Sequence, residues 1–207
     1  MQRKFIPISM FPNPFTVTGG EEDVDWRYEE DSRTLRVLTG KVTGLKGGAG
    51  TDAVDRPFSG RLALADGIGA VELTLDGVTC RVPSGRACSL GSGNRVTLLL
   101  KRGTESLFES GAGCAGISLG DGTSLYIDQT RATGQPDGAL TARGGAASPG
   151  IGRDSGHGKG RTASIMIRGG RVTAVEGRRE SGEGKPPRRT LAGLSLAARA
   201  LKLDAMD

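Results

Sequence analysis

Asp154, Ser155 and His157 bring an acid, a nucleophile and a base into one short stretch, the side-chain types of a hydrolytic triad. Triad members must converge from a rigid frame, and neighbouring residues in the glycine-rich run 150–160 are poorly placed to do so. That stretch is expected to be a solvated loop. His157 is the only histidine, so no other histidine can act as a base. Gly111 to Gly116, GAGCAG, matches the GxGxxG dinucleotide fingerprint, which works only where a helix N-terminus follows to meet the pyrophosphate. Ile117, Leu119, Gly120 and Gly122 read instead as a strand and a turn, so a β corner is expected. Lys159 lacks the GxxxxGKS or GxxxxGKT spacing of a phosphate loop. Asp66 and Asp121 stacked on one edge would suit calcium-dependent lyases or paired-acid glycosidases. Both precede glycine, however, where aspartate is favoured for its own turn hydrogen bonds. The nonapeptide of calcium-loaded β-rolls is missing. No catalytic residue, metal or other cofactor is therefore expected. Cys80, Cys88 and Cys114 include no CxxC pair and are read as small buried apolar residues.

The elements that must position such residues are short strands. The chain has 207 residues, of which 35 are glycine and 4% aromatic, a balance that disfavours a helix-rich globule. A unit recurs in which an apolar doublet, a small polar residue plus glycine, and a longer alternating strand follow one another. Its copies are Leu62, Leu64, Asp66-Gly67, Val71, Leu73, Leu75; then Cys88, Leu90, Ser92-Gly93, Val96, Leu98, Leu100; then Ile117, Leu119, Asp121-Gly122, Leu125, Ile127. A less regular fourth has Ile151 before a glycine loop and Ser164, Ile165, Ile167 after it. Apolar residues at every second position make strands with one buried face. One unit cannot bury that face alone, and stacking the units does. A further short strand recurs as Val78, Cys80, Val82, as Leu140, Ala142 and as Val172, Ala174. The expected fold is all-β, a short right-handed parallel β-helix of about four coils, and the competing architecture is an antiparallel sandwich or barrel. On this reading Asp66-Gly67, Ser92-Gly93 and Asp121-Gly122 share one corner.

The ends differ. Residues 1–14 read as an irregular arm and 15–177 as the solenoid. Within 24–40, Trp26 and Tyr28 lie opposite Leu35 and Val37 across a polar turn, predicting a hairpin that could cap the first coil. Residues 178–189 form a basic linker containing Pro186 and Pro187, and 190–207 carry a helical stripe of Leu191, Leu194, Ala198 and Leu201. The formal net charge of +5 is local, because residues 153–189 hold ten Lys or Arg against four Asp or Glu. That stretch lacks interleaved aromatics, so nucleic acid is not an expected partner, whereas non-specific polyanion binding stays open beside a solubilising role. No window is long and apolar enough to span a membrane, and prolines at 7, 12 and 14 interrupt any signal-peptide core.

Four passages resemble bacterial glycine-rich β-helical repeat surface proteins, commonly labelled carbohydrate-binding domain-containing proteins. They are Trp26 to Val37, LTLDGVTCRVPSG from Leu73 to Gly85, Gly91 to Asp128, and Ser148 to Gly177. The resemblance implies a non-catalytic, secreted or cell-surface role, adhesive or carbohydrate-binding. The chain departs from that pattern where Arg178, Arg179, Lys185, Arg188 and Arg189 stand in place of further glycine-rich coils, as in a truncated or rearranged member.

Sugar sites favour an aromatic platform, and the candidates are Phe108 and Tyr126, with Tyr126 predicted to point outward. Asp128, Lys101 and Arg168 complete the candidate ligand-binding set on the outer strand faces. Two other readings stay open: a polysaccharide lyase or glycosidase on the same scaffold, and a structural remnant without a ligand. Self-association through the open solenoid ends is a further expectation.

Overall fold

Alternation of apolar and polar residues gives each segment a strand with one dry face, and the computed structural model shows how those faces are pooled. It describes residues 12–47, 60–155 and 162–178. The predicted linker beyond Arg178 and the helical stripe over Leu191 to Leu201 lie outside the described residues, as do His157 and Lys159.

The chain opens with β1 (Phe15–Thr18), β2 (Trp26–Glu29), β3 (Thr34–Val37) and β4 (Gly44–Gly47). Four three-strand coils follow. They are β5 (Arg61–Leu64), β6 (Ala70–Asp76), β7 (Thr79–Arg81); β8 (Cys88–Leu90), β9 (Arg95–Leu100), β10 (Glu105–Glu109); β11 (Ile117–Leu119), β12 (Ser124–Gln129), β13 (Ala139–Ala146); and β14 (Ile151–Gly152), β15 (Ser164–Ile167), β16 (Arg171–Gly177). Each coil gives one strand to each of three sheets. The long-strand sheet is β1-β4-β6-β9-β12-β15, the short-strand sheet β2-β3-β5-β8-β11-β14, and the closing sheet β7-β10-β13-β16. Every pair from coil to coil is parallel. The fold is the expected β-solenoid of about four coils, and the antiparallel sandwich or barrel is set aside.

Register makes the core a set of columns. Leu73 pairs with Leu98 and Leu98 with Ile127, and all three are fully buried. Leu62, Cys88 and Ile117 form a second column. A third joins Cys80, Phe108 and Ala142. Burying one such aliphatic side chain contributes roughly 1.5–3 kcal/mol, so the columns together are the main favourable term holding the coils in stack.

The first coil is closed by two antiparallel strands. β1 pairs with β4, and β2 pairs with β3 in the register Trp26 to Val37 and Tyr28 to Leu35 that the hairpin pattern predicts. Phe15 is buried at the same end. The β1 to β4 pair was not expected, because Phe15, Val17 and Leu45 supply too few apolar residues to display a period.

Corners are as regular as strands. Gly67, Gly93 and Gly122 all have positive φ, at 66°, 73° and 67°. The Gly67 amide donates to the Ser92 carbonyl, and the Gly93 amide to that of Asp121, so the three turns stack as the repeat implied. Asn94, buried in this corner, donates through Nδ2 to the carbonyls of Ala65 and Gly91 and accepts from the Gly69 amide.

Phe108 requires a correction. It is fully buried, between Cys80 and Ala142, and its ring fills the space those small neighbours leave. The strand carrying it, β10, was hidden in the sequence because its other inward residues are polar. Ser106 accepts from the Val78 amide at 3.1 Å, and Ser110, just beyond the strand, accepts from the Ala87 amide at 2.8 Å. Two serines thus serve as internal ties at positions where alternation would ask for aliphatics.

Candidate functional site

The outer face of the long-strand sheet gathers most of the candidate residues. Rows run across the strands at right angles to the chain. One row is Thr18, Gly44, Thr74, Leu99 and Asp128, and the next is Glu72, Thr97, Tyr126 and Met166. A third places Thr16, Lys46 and Asp76 side by side. Threonine is a natural choice here, since its β-branched stem suits a strand while its hydroxyl both donates and accepts.

Beside these rows lies an open groove of about 900 Å³. Its floor includes Thr16, Thr18 and Thr74, its charged members include Glu72, Asp76 and Lys101, and Thr130, Ala132 and Gln135 form the opposite wall. That wall belongs to the longest described connection between β12 and β13, and it is anchored. Arg102 pairs with Asp137 at 3.2 Å and donates to the Gln135 carbonyl at 3.3 Å, while the Gly103 amide donates to the Pro136 carbonyl. The Arg102 amide also donates to the Thr130 hydroxyl at 3.1 Å. The groove therefore has a rigid sheet for a floor and a tethered loop for a side.

Of the five sequence candidates, four share this face. Lys101 sits in the groove with Nζ 2.6 Å from an Asp76 carboxylate oxygen. Tyr126 points outward and is partly exposed, with the Arg168 guanidinium 5.1 Å over its ring. That stack makes a cation–π pair, so a sugar meeting Tyr126 would meet Arg168 as well. Asp128 lies one row along from Tyr126, and its Oδ1 accepts from the Gln129 amide. Phe108 is the exception, for the packing reason given above. Sequence reasoning missed the threonines Thr16, Thr18 and Thr74, which carry no signal until register aligns them.

The triad-like stretch is also corrected. Asp154 is not part of a solvated loop but is buried, 8% exposed. Its carboxylate pairs with Arg86 and accepts from the Ala115 amide at 2.7 Å, so it ties the last coil to two earlier ones. Asp121 pairs with Arg153 rather than presenting a free carboxylate edge. Asp66 accepts from the Ser92 amide at 2.6 Å, a structural tie between stacked corners. Among the described residues no group of three or more His, Cys, Asp or Glu side chains is close enough to hold a metal ion.

A second depression, about 520 Å³, lies on the outer face of the short-strand sheet. Arg36, Arg61 and Arg86 line it together with Ser89, Cys114 and Asp154. Cys80 and Cys88 are buried, and burial pushes both thiols well above their usual range. Cys114 is only partly buried, unlike the expectation for it. Desolvation, and then the Asp154 carboxylate, raise its thiol.

Comparison with known proteins finds no family, no curated protein and no solved structure that matches this chain. No helix among the described residues is long and apolar enough to cross a membrane.

Proposed function

We propose that this protein is a non-catalytic β-solenoid module of secreted or cell-surface type that holds an extended carbohydrate chain along its long-strand sheet. One observation carries the reading: the 900 Å³ groove whose sheet floor presents Thr16, Thr18 and Thr74 and whose far wall is a tethered loop. A sugar chain is a ribbon of hydroxyls, each a donor and an acceptor. The face offers hydroxyls at Thr16, Thr18, Thr74 and Thr97 and carboxylates at Glu72, Asp76 and Asp128, which can meet it with hydrogen bonds at several points along its length. Lys46, Glu72, Asp76 and Lys101 add charge-assisted partners of both signs, which are stronger than neutral ones. Tyr126 and Arg168 extend the same face beyond the groove and supply a planar surface for a sugar ring. Because the floor is sheet rather than loop, little ordering entropy is lost when the ligand settles.

A glycan array read with the full chain and with the Thr74→Arg variant tests the proposal. Thr74 lies on the solvent side of β6, so an arginine there blocks the floor without touching the core. Binding by the wild type to one class of polysaccharide, lost in Thr74→Arg, is the expected result. An array with no binder, or equal binding by both proteins, would overturn it.

A further inference from the structure

The arginine-lined depression on the short-strand sheet belongs to a different face from the groove, and its chemistry differs. We propose that it is a binding site for a phosphate or sulfate group, free or carried as an ester, held by Arg61 with Arg36 and Arg86.

Three guanidiniums and one carboxylate line the depression. Two of the guanidiniums are held in place. Arg36 donates from Nε and Nη2 to the two carboxylate oxygens of Glu29, at 2.8 and 3.1 Å, and Arg86 pairs with Asp154. Each guanidinium has five N–H groups, so an anchored arginine keeps donors for a ligand while losing little rotamer freedom to it. Arg61 lies across Gly85, where an added Cβ would stand 2.9 Å from its Nη1, and that nitrogen donates to the Arg86 carbonyl at 3.1 Å. The glycine leaves the space that the guanidinium fills. Ser89 adds a hydroxyl on the strand beside Arg61.

Electrostatics favour an anion here. Burial costs the Arg61 guanidinium part of its hydration and holds it below its usual range. A doubly charged tetrahedral oxyanion would restore that loss. Its several oxygens suit forked N–H pairs arriving from more than one coil. The site is formed by the opening strand β3, by β5 of the first coil and by the turn that leads into β8 of the second, so it exists only when the solenoid is stacked.

Cys114 serves as a built-in reporter. It lines the same depression, and it is the one cysteine of the chain that is not buried. The experiment measures the rate of alkylation of the native protein by uncharged N-ethylmaleimide at mildly alkaline pH. Inorganic phosphate, sulfate or glucose 6-phosphate is added, and chloride at matched ionic strength is the control. Phosphate and sulfate are expected to slow alkylation several-fold while chloride does not, and Arg61→Gln should raise the phosphate concentration needed by about tenfold. Arg61→Lys, which keeps the charge but not the fork, should show a partial loss. Protection at lower concentration by glucose 6-phosphate assigns an ester as the ligand, and equal protection assigns the free anion. Absence of protection by all three oxyanions, equal protection by chloride, or protection unchanged in both Arg61 variants would overturn the proposal.

Discussion

Gly116 closes the GAGCAG run that imitates a nucleotide motif, and its environment explains why glycine stands there. A Cβ at this position would lie 2.6 Å from the Arg143 amide nitrogen and 2.6 Å from the Gly150 carbonyl oxygen, both backbone atoms that cannot swing aside. Gly116→Ala is expected to destabilise the fold by roughly 2 kcal/mol or more, checked by urea unfolding with an unchanged m-value. Gly67 and Gly93 are different, since nothing lies near an added Cβ and only the positive φ selects glycine. The sequence showed glycines at corners, but a packing glycine and a turn glycine look alike in one dimension. A second residue-scale prediction concerns Glu29. Hydrogen bonding by Arg36 holds its carboxyl down to about 2, against 4.5 for the ordinary group. A depressed carboxyl contributes stability above its unfolded value and loses it as pH falls through the folded one. The wild-type Tm should therefore fall more steeply than that of Glu29→Gln between pH 4.5 and about 2, and parallel curves would contradict this account of the hairpin.

At the scale of elements, β10 shows what a sequence conceals. The strands carrying Val71, Leu73, Leu75 or Val96, Leu98, Leu100 announce themselves through a clean period of two. β10 alternates just as strictly, but two serines satisfying buried amides occupy the inward positions around Phe108, so the period is invisible to a hydrophobicity reading. Phe108→Ala is expected to cost about 3–5 kcal/mol, because Cys80 and Ala142 are too small to refill the space. The same variant, assayed below its unfolding transition, should leave carbohydrate binding unchanged, while Tyr126→Ala should weaken binding and leave stability within about 0.5 kcal/mol. The last coil supplies another element-scale prediction. β14, β15 and β16 end the three sheets among the described residues, and Val175 on β16 is 42% exposed. Edge strands of this kind invite pairing with another chain. Sedimentation should show concentration-dependent association reduced by Val175→Lys, a charge at the edge, and no difference between the two proteins would argue against association through this end.

Across the whole molecule, repetition is what made the architecture legible. Four copies of one pattern, with a small polar residue plus glycine at the corner of three of them, pointed to stacked coils, and parallel register then set the outward residues in rows. The candidate site was less legible, for a geometric reason. Lys101, Tyr126, Asp128 and Arg168 could each be assigned an outward face from parity alone, but the grouping of Thr16, Thr18 and Thr74 and the tethered wall over 130–137 arise only when distant strands are brought into register. Asp154 was misread for the same reason. Its partners Arg86 and Ala115 are 68 and 39 residues away in the chain.

The six strands of the groove face extend over about 24 Å at roughly 4.8 Å per step. The proposed site, running from the groove floor on β1, β4 and β6 along the rest of this face, makes a claim about ligand size. Titration calorimetry with a homologous series of oligosaccharides, from one sugar to six, tests it most directly. Affinity should rise with each added sugar until the chain spans the face and then level off, with Thr74→Arg abolishing the rise. A single sugar binding as tightly as the longest member, or no binding at any length, would contradict the account.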